Sequence, residues 1–426
     1  MILLDQDGVS ALYQSVSLVL SPDRTMAVKA SLAAHNIHVK VVVDDLQKVL
    51  NDIMKQNDEA RQRQLVASES NYTESPARQR TRMSNAVYCL LRFSEGKDWQ
   101  KWREQVLADP TWRTWICSGV PPNKPPVQPE HYMNTTEIVR WLTQAGNASS
   151  IAKTFSIGNS YEGRPTMCMK INDENQSLPI VWVDAGMHAR EWISVSTAIY
   201  LIHRILFGKD SDAIYLRKNF RWYIVPNSNP DGYDYSWKHN RLWRKTRVPH
   251  TERCNGTDLN RNFGFHWGET GGCRGGDPCS DVYRGPKPFS DVESRNLRDA
   301  IWPLRTDTKL LLNLHSYHQS WLLPFTGLVS KTNDYDALKT MADKAVASLK
   351  SIHGKVFQVG RLQDFFYRVS GTELDWAKGV ANITYAYVLE LRPHLYADGG
   401  FTASPSNIVP SGEEIFAALV TCCRSL

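Results

Sequence analysis

The sequence has no run of 18 apolar residues, so it offers no candidate for a membrane-spanning helix. None of its eight cysteines stands in a Cys-x-x-Cys pair, which argues against a structural zinc ribbon. Its net charge is only +6. The densest basic cluster, at residues 241–247, is not part of a domain with the strongly basic balance of a nucleic-acid-binding domain. We therefore expect neither a membrane nor a nucleic acid among the partners of this chain.

The N-terminus also lacks a convincing signal peptide. Residues 1–20 carry Asp5 and Asp7, have no basic n-region, and contain a best apolar run of only five residues, 16–20, which a serine interrupts. We interpret this as a chain whose true start is missing or wrongly assigned. Glycosylation sequons nevertheless favour a secreted, extracellular protein. They begin at Asn71, Asn134, Asn147, Asn175, Asn255 and Asn382.

Strand-like and helix-like patterns alternate from residue 135 onward. The strand-like runs are 154–157, 166–171, 180–183, 220–225, 310–314, 321–325, 356–359 and 383–389. The helix-like runs are 137–144, 192–206, 291–304, 335–351 and 413–422. This alternation predicts an α/β fold, a three-layer sandwich in which helices flank a mixed, twisted central sheet. Functional residues are expected at the strand ends of such a sheet.

Two short segments, each placed after a β-branched apolar run, look like the halves of one zinc site. The first, residues 184–192 (DAGMHAREW), contains His188 and Glu191, and the second, residues 312–317 (LNLHSY), contains His315. Two ligands three residues apart plus one distant histidine is the spacing of a catalytic zinc. Such a site leaves one position for a water that hydrolyses near neutral pH. We predict one Zn²⁺ per chain; taken alone, His315 also fits a core histidine.

Further segments follow the first motif in a fixed order and make the signal specific. They are 229–233 (NPDGY), 240–245 (NRLWRK), 258–262 (DLNRN), 366–371 (FYRVSG) with Asp375-Trp376, and 387–392 (YVLELR). Together with the zinc segments they resemble the secreted zinc carboxypeptidases of the pancreatic A/B type, from about Tyr132 to the C-terminus. The resemblance implies a catalytic domain over residues 126–426 and an enzyme that hydrolyses the C-terminal bond of peptides and proteins.

Two carboxylates are expected to work beside the metal. Asp258 would orient His188 through its second ring nitrogen; the alternative is a plain turn residue in the segment 257–260. Glu390 is the proposed general base, which takes a proton from water and passes it to the leaving amine. A glutamate after an almost wholly apolar run is costly to bury without a purpose. The alternative for Glu390 is an ion pair with Arg392.

Arginine side chains supply the remaining charges that the resemblance implies. Arg244 would stabilise the negative charge that develops on the former carbonyl oxygen, and Arg241, one turn earlier, is the rival for this role. Arginine can meet a terminal carboxylate through two parallel hydrogen bonds. The residues assigned to the substrate's carboxylate are Asn260, Arg261 and Tyr367. Those assigned to the rest of the substrate path are Arg190 and Tyr317.

Leu374, seven positions after Tyr367, decides the expected specificity. In the family an acidic residue here selects C-terminal Lys or Arg, and an apolar residue selects apolar or aromatic side chains. Leu374 offers no charge to a buried cation, and Val388, Val369 and Leu362 are apolar too. We therefore predict the A-type preference.

The N-terminal third divides into two parts. Residues 1–82 form an N-terminal region in which a strand (37–43) and an amphipathic helix opened by Asp44-Asp45 resemble the back half of the family's inhibitory pro-segment, at about 36–82. Basic residues at 77–82 suit cleavage by an activating trypsin-like protease, although a solvated charge run explains them equally well. Residues 83–125 fit nothing in the family, and we interpret them as an inserted linker that is poorly ordered.

The resemblance also implies a Cys254–Cys279 disulfide, which requires an oxidising compartment, and a monomeric enzyme. Two other functions remain open from the sequence. An inert relative that binds C-termini without cutting them would lack at least one catalytic residue, and none is missing. A zinc amidase acting on cell-wall or modified amino-acid substrates would not need the set formed by Asn260, Arg261 and Tyr367.

Overall fold

A computed structural model describes residues 2–5, 15–18, 22–33, 39–41, 45–70, 125–270 and 273–426. The basic link at 77–82 and all of the interpreted linker except Pro125 lie outside the described residues. Within the described residues, no helix is both long and apolar enough to cross a lipid bilayer.

The N-terminal region forms a small α+β unit. Its three-stranded antiparallel sheet places β1 (Ile2–Asp5) between β2 (Ser15–Leu18) and β3 (Val39–Val41). Helix α1 spans Pro22–Ala33 and helix α2 spans Leu46–Ser70. The sequence patterns predict β3 and α2 but not the preceding elements. Strands of four residues are too short to display a clear alternation, and the sequence of α1 has no apolar stripe at helical spacing.

The remaining chain builds one eight-stranded mixed sheet in the order β10-β9-β11-β8-β6-β7-β5-β4. The strands are β4 (Ala152–Asn159), β5 (Pro165–Ile171), β6 (Ile180–Ala185), β7 (Arg221–Val225), β8 (Thr308–Ser316), β9 (Ser320–Leu323), β10 (Gln358–Arg361) and β11 (Tyr385–Leu391). The central neighbours β11, β8, β6 and β7 run parallel. All residues of β6 and β7 are buried, as expected for strands covered on both faces.

Helices cover both faces of this sheet. They are α3 (Thr135–Asn147), α4 (Trp192–Phe207), α5 (Ser211–Asn219), α6 (Pro230–Lys238), α7 (Val292–Ile301), α8 (Tyr335–His353), α9 (Leu362–Phe365), α10 (Glu373–Gly379) and α11 (Ile408–Cys423). Apolar side chains of α4, α8 and α11 join one core, and those of α7 and α10 join the core on the opposite face. The predicted three-layer α/β sandwich is thus confirmed.

Two local departures from the predicted elements have physical reasons. The strand expected from residue 356 begins at Gln358 instead, because Val356 is exposed and pairing with β9 starts only at Gln358. The short helices α5, α6, α9 and α10 are absent from the predicted set. Of these, α6 carries a capping signal at its start: Asn229 Oδ1 accepts from Gly232 N at 3.0 Å, and Pro230 occupies the first turn.

Strand register positions the site. Asp184 of β6 lies opposite Asn313 of β8, and His315 of β8 lies opposite Glu390 of β11. Because parallel strands end at the same edge of a sheet, the segment that follows β6 meets the ends of β8 and β11 there.

Candidate metal centre and active site

Three buried side chains converge at the carboxyl edge of the sheet. His188 lies in the turn after β6, Glu191 immediately precedes α4, and His315 is near the end of β8. His188 Nδ1 is 2.8 Å from Glu191 Oε1, and His315 Nδ1 is 2.9 Å from Glu191 Oε2. The candidate donor atoms all lie within 4.8 Å of one another. The distant histidine predicted from the sequence therefore joins the first motif.

The hydrogen bonds of the two histidines leave both Nδ1 atoms suited to a metal. His188 Nε2 is 3.0 Å from Asp258 Oδ1, and His315 Nε2 contacts Asn313 Oδ1. Each Nε2 thus faces an oxygen that can accept its proton, and in that tautomer the two Nδ1 atoms, only 3.0 Å apart, present lone pairs to the same space. Two imidazole nitrogens and one carboxylate are a donor set that fits catalytic zinc.

Asp258 connects His188 to Arg244. Its Oδ2 accepts from Arg244 Nε at 3.1 Å and from Arg244 Nη2 at 2.9 Å, while Oδ1 faces His188. Burial opposes its ionisation, but Arg244, Arg261 and His188 hold the pKa of Asp258 well below its usual range. Asp258 also accepts from Asn260 N at 3.0 Å, so it has the alternative role of a turn residue as well.

Glu390 is placed opposite His315 with its carboxylate unpaired. Within the described part of the chain this carboxylate forms no hydrogen bond or ion pair, and the residue remains partly accessible. Burial, followed by the charge of Glu191, raises the pKa of Glu390 to about 7. The alternative ion pair with Arg392 is not formed, since Arg392 Nε donates to Glu414 Oε2 at 3.1 Å instead.

The two candidate oxyanion arginines have different surroundings. Arg244 Nη1 lies 3.7 Å from Glu191 Oε1, beside the metal donors. The guanidinium of Arg241 stacks on the Trp192 ring at 3.6 Å and donates to the backbone oxygens of Arg190 and Phe401. Arg241 is thus held in structural contacts, and Arg244 is the arginine next to the candidate donors.

The predicted carboxylate-binding residues are only partly assembled around one point. Asn260 and Arg261 follow Asp258 directly, and Arg261 is close enough to Glu390 to lower its pKa against the effect of burial. Asn260 Oδ1, however, already accepts from Glu373 N at 3.0 Å. Tyr367 is 49% exposed, and its ring lies within electrostatic range of Arg244.

Arg190 and Tyr317 meet around Phe401 at the mouth of the site. The Arg190 guanidinium lies 4.3 Å from the Phe401 ring centre, and the Tyr317 ring lies 4.8 Å from the same ring. Burial raises the pKa of Tyr317 to about 12, which keeps its hydroxyl neutral. This arrangement is an aromatic border beside the metal donors, and its arginine also pairs with Asp281 at 3.2 Å.

Leu374 belongs to the apolar core on the face of the sheet that α7 and α10 cover. It is fully buried with Leu322 and Val388, and Leu362 packs against this cluster. Val369 is buried nearby, where its amide donates to Thr326 O at 3.1 Å.

The sequence interpretation missed three polar residues behind this cluster: Asp184, Asn313 and Glu373. All three are fully buried. Asn313 stands two residues before His315 on β8, so the strand period of two puts both on one face. That period, and the position of Glu373 next to Leu374, are the signals that could have identified them.

The disulfide implied by the resemblance is present: Cys254 and Cys279 are joined, with their Cα atoms 4.9 Å apart. Among the described residues, Cys168, Cys422 and Cys423 are buried free thiols. Burial raises the pKa of all three, so they are poor nucleophiles.

Comparison with known proteins identifies relatives of this chain. A family model described as zinc carboxypeptidase matches residues 138–418. Carboxypeptidase B of Astacus astacus is 39% identical over 290 residues, which cover 67% of this chain and 93% of that protein. Zinc carboxypeptidase A 1 of Anopheles gambiae is 36% identical over 299 residues, or 70% of this chain and 68% of that protein.

A solved structure extends the likeness to the N-terminal region. The crystal structure of thrombin-activatable fibrinolysis inhibitor matches with a TM-score of 0.74 at 26% identity, covering 100% of this chain and 92% of that one. The sequence relatives thus carry both A-type and B-type names, while the structural match takes in the described N-terminal elements as well as the catalytic domain.

Proposed function

Because the chain belongs to the zinc carboxypeptidase family, we propose that it releases apolar or aromatic C-terminal residues, with Glu390 as the general base. Family membership establishes the coarser activity, a zinc metallocarboxypeptidase that acts on peptide C-termini. The observation that carries the mechanistic part is the β8–β11 register, which sets Glu390 opposite His315.

In the proposed mechanism, zinc held by His188, Glu191 and His315 would acidify a water and polarise the scissile carbonyl. Glu390 accepts the proton of the attacking water and then delivers it to the leaving amine. A pKa near 7 suits both transfers at neutral pH. Arg244, oriented by two bonds to Asp258, offers its Nη1 group to the oxygen on which negative charge develops.

Recognition of a free C-terminus is assigned to Asn260, Arg261 and Tyr367. The guanidinium of Arg261 donates to Asn260 O at 2.7 Å through Nη1. Among the described residues its other nitrogens have no hydrogen-bond partner, so they can form a paired bond to a carboxylate. Arg190 and Tyr317 would contact the chain upstream of the cleaved bond. This set favours an exopeptidase over a zinc amidase, which has no need of it.

We expect the wild-type enzyme to cleave peptides ending in Phe or Leu faster than matched peptides ending in Arg. Leu374 and Val388 present only carbon to the terminal side chain, and a guanidinium buried there would lose its water without a partner. Leu374→Asp supplies that partner and should invert the preference, changing the Arg/Phe ratio of kcat/KM by about 100-fold, near 3 kcal/mol of differential binding.

Leu374→Asn is the matched control, because it has the same size and polarity without the charge. It should lower cleavage of the Phe peptide without creating activity on Arg. Peptides with an amidated C-terminus should not be cleaved by any variant. Faster wild-type release of Arg than of Phe would overturn the A-type assignment.

We further propose that the N-terminal region, residues 1–82, contains an inhibitory pro-segment of the catalytic domain at 126–426, formed by about residues 36–82. Helix α2 packs against the turns Gly400–Thr402 and Pro405–Asn407, next to Phe401 at the mouth of the site. Polar contacts support this docking. They join Asn57 Nδ2 to Tyr132 O at 3.1 Å, Gln64 Nε2 to Gln128 O at 2.7 Å, Ser404 Oγ to Gln56 Oε1 at 2.7 Å, and Arg61 to Glu137.

Limited trypsin treatment of the full chain should therefore raise its peptidase activity by about tenfold or more. While the pro-segment is tethered, its effective concentration at the catalytic domain is on the order of mM, and after cleavage it can dissociate. Activity is measured on a Phe-terminated peptide before and after cleavage, at a dilution that allows dissociation. The control replaces Arg78, Arg80 and Arg82 with Gln and should stay at the low level. Equal activity of cut and uncut chains would contradict the proposal.

Secretion and a monomeric state complete the proposal. The Cys254–Cys279 disulfide suits an oxidising compartment. The sequon asparagines Asn147, Asn175 and Asn382 are exposed and accessible to glycosylation. The expected partners are the peptide or protein C-termini and an activating protease.

A further inference from the structure

Asn313 bridges the zinc-site histidine to a buried carboxylate. Its Oδ1 contacts His315 Nε2, and its Nδ2 donates to Asp184 Oδ1. The β6–β8 register sets Asp184 directly beside Asn313, so the bridge is short and lies wholly inside the protein. The second oxygen of Asp184 accepts from Trp182 Nε1 at 2.9 Å. Both oxygens of Asp184 therefore already accept a hydrogen bond.

Glu373 ends this series of contacts. It is fully buried beside Asp184, and neither of its carboxylate oxygens meets a hydrogen-bond donor in the described part of the chain. Two ionised carboxylates in contact, away from water, would repel each other with no compensating partner. A single proton between them removes the repulsion and makes a hydrogen bond.

The metal site decides which carboxyl group carries that proton. When Nδ1 of His315 binds zinc, its Nε2 bears hydrogen and donates to Asn313 Oδ1, which is nearer to it than the other neighbour, Asn260 Nδ2, at 3.3 Å. The amide group of Asn313 then points at Asp184 and requires an acceptor. Trp182 imposes the same requirement on the other oxygen. Asp184 must therefore be the carboxylate, and Glu373 the neutral acid that donates to it.

The titration behaviour agrees with this order. Burial raises the pKa of both groups, but the bonds from Asn313 and Trp182 limit that of Asp184 to about 6. Burial and the adjacent Asp184 charge raise the pKa of Glu373 well above its usual range.

We propose that Glu373, Asp184 and Asn313 form a positioning chain, in which neutral Glu373 holds Asp184, Asp184 holds Asn313, and Asn313 fixes the ring of His315 for zinc. The chain does for His315 what Asp258 does for His188. None of the three residues touches substrate or the reacting atoms in this scheme. The inference rests on His315 being a zinc ligand, and it is independent of whether Glu390 is the base.

Two isosteric substitutions distinguish the positioning chain from a mere requirement for negative charge at these buried positions. Glu373→Gln keeps a donor toward Asp184, whereas Asp184→Asn turns an amide hydrogen toward either Asn313 or Trp182, which are donors themselves. Chelator competition on the purified full chain should show that Asp184→Asn weakens zinc binding about 10–100-fold and Glu373→Gln by less than about threefold. The visible absorption of the Co²⁺-loaded protein should change in the first variant only.

Further measurements keep the test decisive. Thermal unfolding of the metal-free variants reports any loss of fold. If Asp184→Asn is not stable, Asn313→Leu interrupts the same series of hydrogen bonds at another residue. Asn313→Leu should weaken zinc binding to a similar extent, and adding Glu373→Gln should weaken it no further. Equal zinc affinity in Asp184→Asn and wild type, or an equal loss in Glu373→Gln, would overturn the positioning chain. Loss of kcat with unchanged zinc affinity in Glu390→Gln would leave it intact.

Discussion

Replacing Glu390 with glutamine is expected to lower kcat by about 10³-fold, within the range typical for loss of a general base. The amide has the size of the carboxyl group but cannot accept the proton of the attacking water. Because the side chain of Glu390 forms no hydrogen bond or ion pair among the described residues, its replacement should disturb neither fold nor zinc binding. Initial rates at saturating concentrations of a Phe-terminated peptide give kcat, and chelator competition gives the metal affinity.

The pH profile adds a second measure of the same residue. A base must be ionised to act, and the pKa of Glu390 is raised to about 7. The wild-type kcat/KM should therefore fall as the pH drops below about 7, and the residual activity of the Gln variant should lose this acid limb. Glu174→Gln, at an exposed position between β5 and β6, is the control and should leave rate and profile unchanged. A Glu390→Gln enzyme within a few-fold of wild-type kcat would exclude the base role.

Arg244→Gln is expected to reduce kcat by about 10²–10³-fold with little change in KM, as for loss of one oxyanion donor. The side chain is preset by two bonds to Asp258, so it reaches the developing charge without reorganisation. The same rate measurements apply, with zinc affinity as a check because Asp258 also contacts His188.

Arg241→Gln provides the matched comparison. It removes the same charge three positions away, from a guanidinium that stacks on Trp192 and binds backbone oxygens. Its cost should appear in thermal stability, while kcat stays within a few-fold of wild type. A larger loss of kcat in Arg241→Gln than in Arg244→Gln would exchange the two assignments.

How much of this molecule could be predicted from its sequence depends on the range of the interactions involved. The central strands are predictable because continuous apolar runs such as β6 are buried on both faces. The metal donors are predictable because His188 and Glu191 sit in one short motif and His315 ends another β-like run. Helix α6 was recoverable in principle from its capping residues, since those signals are local.

The buried polar residues behind the metal are a different case. Asp184, Asn313 and Glu373 come from three distant parts of the chain, and only the β6–β8 register and the docking of α10 bring them into contact. Individually each looks like an ordinary polar residue near a motif. Periodicity relates Asn313 to His315 within one strand, but the contacts of Asp184 and Glu373 depend on pairing between remote segments, which composition, spacing and periodicity do not contain.

The β8–β11 register has one more consequence. His315 and Glu390 are spaced by the main-chain ladder of two parallel strands, whereas Leu374, Tyr367 and Phe401 stand on α10 and the connecting loops. Substitutions or loop replacements at these positions can therefore change substrate preference while His315 and Glu390 keep their spacing. By contrast, slipping β11 by one residue would turn Glu390 to the opposite face of the sheet, so catalysis should tolerate insertions in these loops and fail on any within the two strands.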